Sequence, residues 1–202
     1  MQADTQTLRN FREDNMRLKD EVHHLRTEVQ RLQDIIRALN TLQYNIDAIT
    51  SETDVITLIH NILSTALITV GTDNGSLMLI DHDSNELAFV DVIGPSRDAL
   101  LGYRMPADEG VAGWVVTNKS PVLISDVGQD QRWSSNVDQS IGFHTSSLIG
   151  VPLLDGDRTL GIIEVVNAVG NPPFEEGDLD IMMLVARLAS LVLVQAEKSA
   201  VA

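Results

Sequence analysis

The sequence of 202 residues contains no cysteine. Disulfide bonds, thiolate-ligated metal sites and thiol nucleophiles are therefore excluded. The absence of cysteine is typical of proteins in a reducing compartment, and the charged N-terminus lacks the apolar segment of a signal peptide. Both features predict a cytoplasmic location.

Positive charge is scarce after residue 46. Residues 1–46 hold seven Lys or Arg and seven Asp or Glu, whereas residues 47–202 hold seven basic and 22 acidic side chains. Nucleic acids and anionic membranes bind basic surfaces that displace their counterions. The acidic part of the chain therefore predicts no nucleic-acid partner.

Long apolar runs are also missing. The longest, residues 181–196, is shorter than the roughly 20 residues that span a bilayer, and Arg187 and Ser190 interrupt it. We predict a buried helix here and no membrane partner.

The chain offers no recognisable catalytic pattern. It lacks a Gly-rich phosphate loop, a nucleophile–base pair and the spacing of metal ligands, including two His four residues apart on a helix. We expect neither an enzyme nor a metal protein.

A heptad pattern dominates the N-terminal part. From Leu8 to Ile46, ten of twelve seam positions are apolar, which predicts a continuous helix over about residues 5–48. β-branched residues at a with Leu at d favour a parallel two-stranded coiled coil. The expected dimer contacts are Asn15, Leu18, Val22, Leu25, Val29, Leu32, Ile36 and Leu39. The alternative is a single amphipathic helix packed on its own domain.

The remaining sequence, residues 47–202, predicts one α+β domain after the coiled coil of residues 1–46. Ser51 is the expected N-cap of a helix over residues 53–70. Strand-like runs cover 76–80, 86–93, 122–124, 146–154 and 160–167, and helices cover 110–118 and 175–197. Segments 94–106 and 127–141 are expected to be irregular. Hairpin spacing predicts a mostly antiparallel sheet with helices on its faces.

The last predicted helix is apolar nearly all round. Only four of the 18 residues from Leu179 to Ala196 are polar. Such a helix is expected to be buried on every side, by the sheet, by the preceding helix and by the same helices of a second copy. Leu184, Leu188 and Leu191 are the expected dimer contacts in this four-helix bundle.

Several short motifs follow one another in order towards the C-terminus. They are Gly110–Trp114 (Gly-x-x-Gly-Trp), Asp126 with the loop 130–133, Gly142–Ser147, Val151–Leu153, and Asn167 followed by Phe174 and Asp178. In this order and spacing they resemble the GAF domain family over about residues 39–197. The resemblance implies a six-stranded antiparallel sheet of the GAF/PAS type, with a ligand pocket on the face away from the helical bundle.

The resemblance also limits the classes of ligand that are expected. In the signature of cyclic-nucleotide GAF domains, Ala168 here replaces a Lys and Leu179 replaces a Glu, so cyclic-nucleotide binding is not expected. The absence of cysteine excludes a covalently attached bilin and the cysteine-dependent sulfoxide reductases of the family. The cofactor is left unknown.

The expected pocket residues are Trp114, Asp126, Arg132, Trp133, Phe143, His144 and Asn167. The two Trp could stack on a planar ligand, and His144 could hydrogen-bond an effector. The alternatives are core packing for the Trp side chains and a rim histidine bonded to backbone.

The function implied by the resemblance is non-enzymatic. A small molecule in the pocket would be sensed and relayed through a dimeric helical bundle to a signalling partner or output domain. The alternative is a ligand-free scaffold for dimerisation and docking, which a cavity below roughly 300 Å³ would favour.

Overall fold

The computed structural model describes residues 14–27, 29, 30, 33, 36, 54–168 and 172–201. The chain divides into two compact units, Met1–Tyr44 and Asn45–Ala202.

The described part of the first unit is helical. Residues 14–27 form helix α1, and the described positions 29, 30, 33 and 36 are helical as well. The apolar seam residues Leu18, Val22, Leu25, Val29 and Ile36 are each about half exposed, between 45% and 55%. Leu32, Leu39 and the other positions of the predicted helix lie outside the described residues. The parallel coiled coil stays a prediction.

The second unit is built on one six-stranded sheet. Its strands are β1 (Gly75–Asp81), β2 (Glu86–Ile93), β3 (Arg104–Pro106), β4 (Val122–Ile124), β5 (Thr145–Asp155) and β6 (Arg158–Ala168). Their spatial order is β3-β2-β1-β6-β5-β4, and every neighbouring pair is antiparallel. The expected six-stranded antiparallel sheet with helices is thus confirmed. The sixth strand, β3, lies in a segment for which the sequence predicts irregular structure.

Two long helices, α2 (Val55–Val70) and α6 (Glu176–Val201), pack against each other on one face of the sheet. Asp54, rather than Ser51, is the N-cap of α2, because its carboxylate accepts the Thr57 backbone N–H at 3.1 Å. Gly71, with φ of 72°, ends the helix in the left-handed conformation that glycine adopts without strain.

The opposite face of the sheet is covered by shorter elements. These are α3 (Arg97–Leu100), α4 (Gly110–Asn118), a 3₁₀ turn (Val127–Gln129) and α5 (Asn136–Ile141). Only α4 was expected from the sequence. The prediction of irregular structure over 94–106 and 127–141 is wrong at α3, the 3₁₀ turn and α5, which are all too short for a helical periodicity to show.

Strand β6 divides its side chains between these two layers. Ile162 belongs to the core cluster beneath α4, and Val166 packs against that cluster. Val165 faces the helix layer instead. A Cβ atom built on Gly75, its partner residue on β1, would contact both Val165 and Leu67 of α2. Alternate residues of a strand face opposite sides of a sheet, so Glu164, between Ile162 and Val166, belongs to the α4 side.

Helix α6 is buried on one face only. Met182 and Ala189 are fully buried, whereas Met183 and Leu191 are 40% and 51% exposed. The sheet and α2 of the same chain cover only part of the helix circumference, and burial of the remaining face by a second copy stays a prediction. By length and composition α6 could also cross a membrane, a criterion that the core helix of a folded domain meets equally well.

Ser190 connects α6 to the sheet. Its hydroxyl donates to the Ala186 carbonyl at 2.8 Å and accepts the Leu154 backbone N–H at 3.0 Å. The Leu154 amide lies where the β5–β6 register shifts. The polar residue inside the apolar helix thus satisfies a partly buried amide.

Replacing Ser190 by Ala is expected to lower the free energy of unfolding by about 1–3 kcal/mol, since the Leu154 N–H would lose the hydroxyl as its acceptor in a partly buried position. Ser199→Ala is the control, because Ser199 donates to the Gln195 carbonyl in the same helix at an exposed site. Urea denaturation followed by circular dichroism measures both variants. Equal midpoints for the two variants would contradict this role of Ser190.

Candidate functional site

A cavity of about 180 Å³ lies between the sheet and the short elements opposite α2 and α6. Its floor comes from β1, β2, β5 and β6, and its walls come from α3, α4, α5 and the segments between them. The position agrees with the expectation that the pocket lies away from the two long helices.

The lining combines aromatic rings with carboxylates. Four aromatic residues contribute, Phe89, Tyr103, Trp133 and Phe143. Three acidic residues contribute as well, namely Glu109, Asp138 and Glu164. Among the described residues that line the cavity there is no Lys, Arg or His. The site is therefore an apolar, aromatic cavity with negative charge at its boundary.

Glu164 is the acidic residue on the floor. Its strand neighbour Ser76 on β1 has a short side chain and lines the cavity beside it. Within the described part of the chain, no donor hydrogen-bonds its carboxyl group. Enclosure by protein raises the pKa of Glu164 to about 7, and the nearby negative charge of Asp138 adds to this effect. At neutral pH the carboxyl therefore stands close to its titration midpoint.

The other two carboxylates have partners. Asp138 accepts the backbone N–H of Thr145 at 2.8 Å and its hydroxyl at 3.1 Å, which ties α5 to the start of β5. Glu109 accepts a hydrogen bond from the Asn136 side-chain amide at 3.1 Å. Both therefore have structural roles at the wall of the cavity, and Glu164 alone among the three has a carboxyl without a donor from the described residues.

The Gly-x-x-Gly-Trp motif shapes the cavity wall. A Cβ at Gly113 would lie 2.4 Å from the Asp108 carbonyl carbon, so only glycine lets the chain pass this close to the helix. Gly110 begins α4 with φ of 70° and lines the cavity beside Glu109. The glycines thus position the loop, while Trp114 lies on the outer side of α4 and does not line the cavity.

Of the seven expected pocket residues, the structure places only Trp133 and Phe143 in the cavity lining. Trp114 instead stacks under the Arg132 guanidinium, which lies 4.5 Å from the ring centre. Arg132 also chelates the Asp130 carboxylate through two nitrogens at 2.8 and 2.6 Å, and this contact lowers the pKa of Asp130. Trp114 of α4 and Arg132 of the following loop are therefore engaged with each other and with Asp130.

Asp126 and His144 line a separate, shallow hollow outside the cavity. Asp126 caps the 3₁₀ turn, since its side chain accepts the Gly128 N–H at 2.9 Å. His144 is exposed at the rim of this hollow. Trp133 and Phe143 contribute to both the hollow and the cavity, so these two rings separate the two sites.

Asn167 is buried on the helix side of the sheet. Its side-chain amide donates to the Pro172 carbonyl at 2.9 Å, on the segment that leads into α6. Because β6 alternates, Asn167 faces away from Glu164 and Val166. It therefore positions the entry to the last helix and does not contact the cavity.

Sequence reasoning missed Glu164, Asp138, Phe89 and Tyr103. For Glu164 a signal was present: it is the only charged residue between Thr159 and Ala168, in a strand that is otherwise apolar up to Asn167. A lone acid in a strand covered on both faces is a functional candidate. Asp138 and Tyr103 lie in segments for which the sequence predicts irregular structure, and Phe89 lies on the predicted strand 86–93. Only the fold brings these three residues together.

A second polar connection joins the cavity wall to the helix layer. Asp91 on β2 is 2% exposed, and its carboxylate accepts a hydrogen bond from Arg97 of α3 at 2.9 Å. The other oxygen lies 2.8 Å from Nδ1 of His60 on α2. Arg97 also donates to the Val92 carbonyl, and Val92 lines the cavity. One buried carboxylate therefore contacts both α3 and α2.

Curated relatives match only part of their own length. The chain is 30% identical over 145 residues to dual 3′,5′-cyclic-AMP and -GMP phosphodiesterase 11 of Drosophila melanogaster, which covers 64% of this chain and 10% of that protein. It is 29% identical over 90 residues to the cone cGMP-specific 3′,5′-cyclic phosphodiesterase subunit alpha′ of Mus musculus, covering 45% and 10%. The chain thus spans about a tenth of the length of these relatives.

Solved structures show the same fold. The GAF domain of a phosphoenolpyruvate-protein phosphotransferase from Coxiella burnetii superposes with a TM-score of 0.71 at 15% identity, covering 84% of this chain and 98% of that one. The family model for the GAF domain matches residues 54–193, more than half of the chain. GAF domains are sensory and regulatory modules that are generally non-catalytic. By this match and by its fold, the chain belongs to the GAF domain family.

Proposed function

We propose that this protein is a non-enzymatic sensor that binds a small molecule in the Glu164 cavity and relays its presence through a homodimeric helical bundle to a signalling partner or output domain. The observation that carries the proposal is the unpaired carboxyl of Glu164 on the floor of an apolar cavity. A ligand-free scaffold is the alternative.

The size of the cavity alone favours the scaffold. Its volume of about 180 Å³ is below the roughly 300 Å³ at which pockets for drug-sized ligands begin. A cavity of ~150 Å³ nevertheless binds benzene. The volume therefore restricts the ligand to about one ring, and it leaves too little space for a nucleotide.

The chemistry of the cavity favours the sensor. Burying a carboxyl without a partner destabilises a fold, whereas a scaffold gains nothing from it. Groups that reduce stability and line a cavity are typical of binding sites, where the ligand supplies the missing partner. An apolar side chain in place of Glu164 would fill the same space without this loss of stability.

The route of the relay runs through the sheet. Val166 lines the cavity and its neighbour Val165 packs against the helix layer, so a shift of β6 reaches both faces. Asp91 adds a polar connection between α3 at the cavity wall and α2. A ligand shifts a two-state equilibrium only by the difference between its affinities for the two states. A ~100-fold difference in affinity corresponds to about 2.7 kcal/mol.

The exposed apolar side chains support a homodimer. Ile68 of α2 is 80% exposed and Leu191 of α6 is 51% exposed, while Leu184 and Leu188 are half-buried. The seam of α1 independently presents apolar residues such as Val22 and Leu25 to solvent. A second copy that covers these surfaces would bury them, as the sequence pattern predicts.

The stability of the protein is expected to fall as pH rises from about 4.5 to 7. The folded state holds a proton on Glu164 in this range and the unfolded state does not, so the slope is negative. The raised pKa corresponds to a loss of roughly 3 kcal/mol across this range. Glu164→Gln removes this contribution, and Glu109→Gln is the control.

Urea unfolding at pH 5 and pH 8 measures the difference for each protein. We expect the wild type and Glu109→Gln to lose more stability between the two pH values than Glu164→Gln does. Equal losses in all three proteins would show that Glu164 is not enclosed and would remove the main support for the sensor.

The purified chain is expected to be a dimer that binds a single-ring compound in the cavity. Native mass spectrometry gives the oligomer and any retained mass. Leu25→Glu and Leu191→Glu place charge on the two apolar surfaces and should reduce the dimer fraction, whereas His24→Glu, at an exposed position of α1, should not.

Thermal unfolding with a panel of single-ring amines, amides, alcohols and acids tests the cavity. Val137→Trp fills it from α5 and should abolish any ligand-induced rise in melting temperature, whereas Gln139→Trp on the exposed side of the same helix should not. A dimer without retained mass, combined with no response to any compound, supports the scaffold.

A further inference from the structure

The balance of charge around the cavity distinguishes between ligand classes. Glu109, Asp138 and Glu164 line it, and the described lining includes no cationic side chain. An anionic ligand would meet three carboxylates without a counter-charge, in a setting where low polarity strengthens repulsion. A cationic ligand would instead be attracted by the same three carboxylates.

We infer that the cavity selects an organic cation of about one ring in size, an amine or amidinium whose charged group pairs with the Glu164 carboxylate. This inference rests on the proposed sensor function and adds the class of ligand. It draws on three observations: the acidic lining, the free carboxyl on the floor and the aromatic walls.

Glu164 provides the anchoring contact. Ser76, its neighbour on β1, has a short side chain and lines the cavity beside it, so a ligand can approach the carboxyl from the cavity. Both oxygens can then accept hydrogen bonds, as carboxylates do in bidentate pairs with planar cations. Glu109 and Asp138 already have protein partners and contribute mainly their negative charge.

The aromatic walls suit the same ligand. Phe89 and Tyr103 meet edge to face, with ring centres 6.1 Å apart, and form one wall. Trp133 and Phe143 contribute on the side next to the hollow. Aromatic rings attract cations through the negative charge of their faces, and they also pack against a planar ring. Neutral single-ring compounds gain only the second of these contacts.

Three matched probes test the inference. Benzamidine, benzamide and benzoate share one ring and differ in charge, from positive through neutral to negative. Their dissociation constants are measured at pH 8 by nuclear magnetic resonance titration of the wild type. We expect benzamidine to bind at least tenfold more tightly than benzamide, and benzoate to bind weakest of the three.

The variants assign the preference to one carboxyl. Glu164→Gln should bring benzamidine and benzamide to within about threefold of each other and leave benzamide binding intact, because the amide side chain keeps its shape. Glu109→Gln at the wall, whose carboxylate is exposed, should change the preference by less than threefold.

The pH dependence gives a second readout. Only the ionised carboxylate pairs with the cation, so benzamidine affinity should fall about tenfold between pH 8 and pH 6, and Glu164→Gln should show no such fall. The charged groups that surround Glu164 are Asp138 on α5 and Glu109 before α4, and neither adds a positive charge to oppose the trend.

The outcomes separate the two proposals. Equal binding of all three probes, or a benzamidine preference that survives in Glu164→Gln, overturns the selection of cations and leaves a small-molecule sensor. Binding of none of the probes at millimolar concentration, in the wild type and in Glu164→Gln, overturns the sensor as well. Tighter binding of benzoate than benzamidine contradicts the charge argument directly.

Discussion

The strict alternation of side chains along β6 is the constraint on which this GAF domain depends. Consecutive residues of a strand face opposite sides, so one central strand contributes to two different environments. Ile163 and Val165 are fully buried in the layer that packs on the long helices. Ile162, Glu164 and Val166 lie on the other face, where the cavity is. A shift of β6 by one residue would place Glu164 among the helices and remove the cavity floor.

This arrangement explains how one carboxyl can define the site. Glu164 is held by a strand that is paired on both edges, with β1 on one side and β5 on the other. Its backbone is therefore fixed, and among the residues that the structure describes its side chain has no hydrogen-bond partner that would draw it aside. Enclosure raises its pKa to about 7 and reduces stability at neutral pH. Binding sites typically accept such a cost, because a ligand that supplies the missing charge recovers it.

The same sheet joins the cavity to the surface that we propose for dimerisation. Asp91 contacts both α2 and α3, and Ser190 connects α6 to β5 through the Leu154 amide. Both sets of contacts are directional hydrogen bonds between a strand and a helix. Apolar side chains on the outer surface of these helices, such as Leu191, remain exposed in the described chain.

The sequence by itself determined the long elements, because their signals are local. Helical periodicity predicted α2 and α6, hairpin spacing predicted most of the sheet, and the ordered motifs from Gly110 to Asp178 indicated the GAF family. Short elements such as β3, α3 and α5 carry too few residues for a periodic pattern. Only the tertiary structure decided the site, because it determined that the face of β6 that bears Glu164, and not the face that bears Asn167, lines the cavity. The reason is that the layer against which each face of a strand packs depends on segments distant in sequence, and no local pattern contains that information.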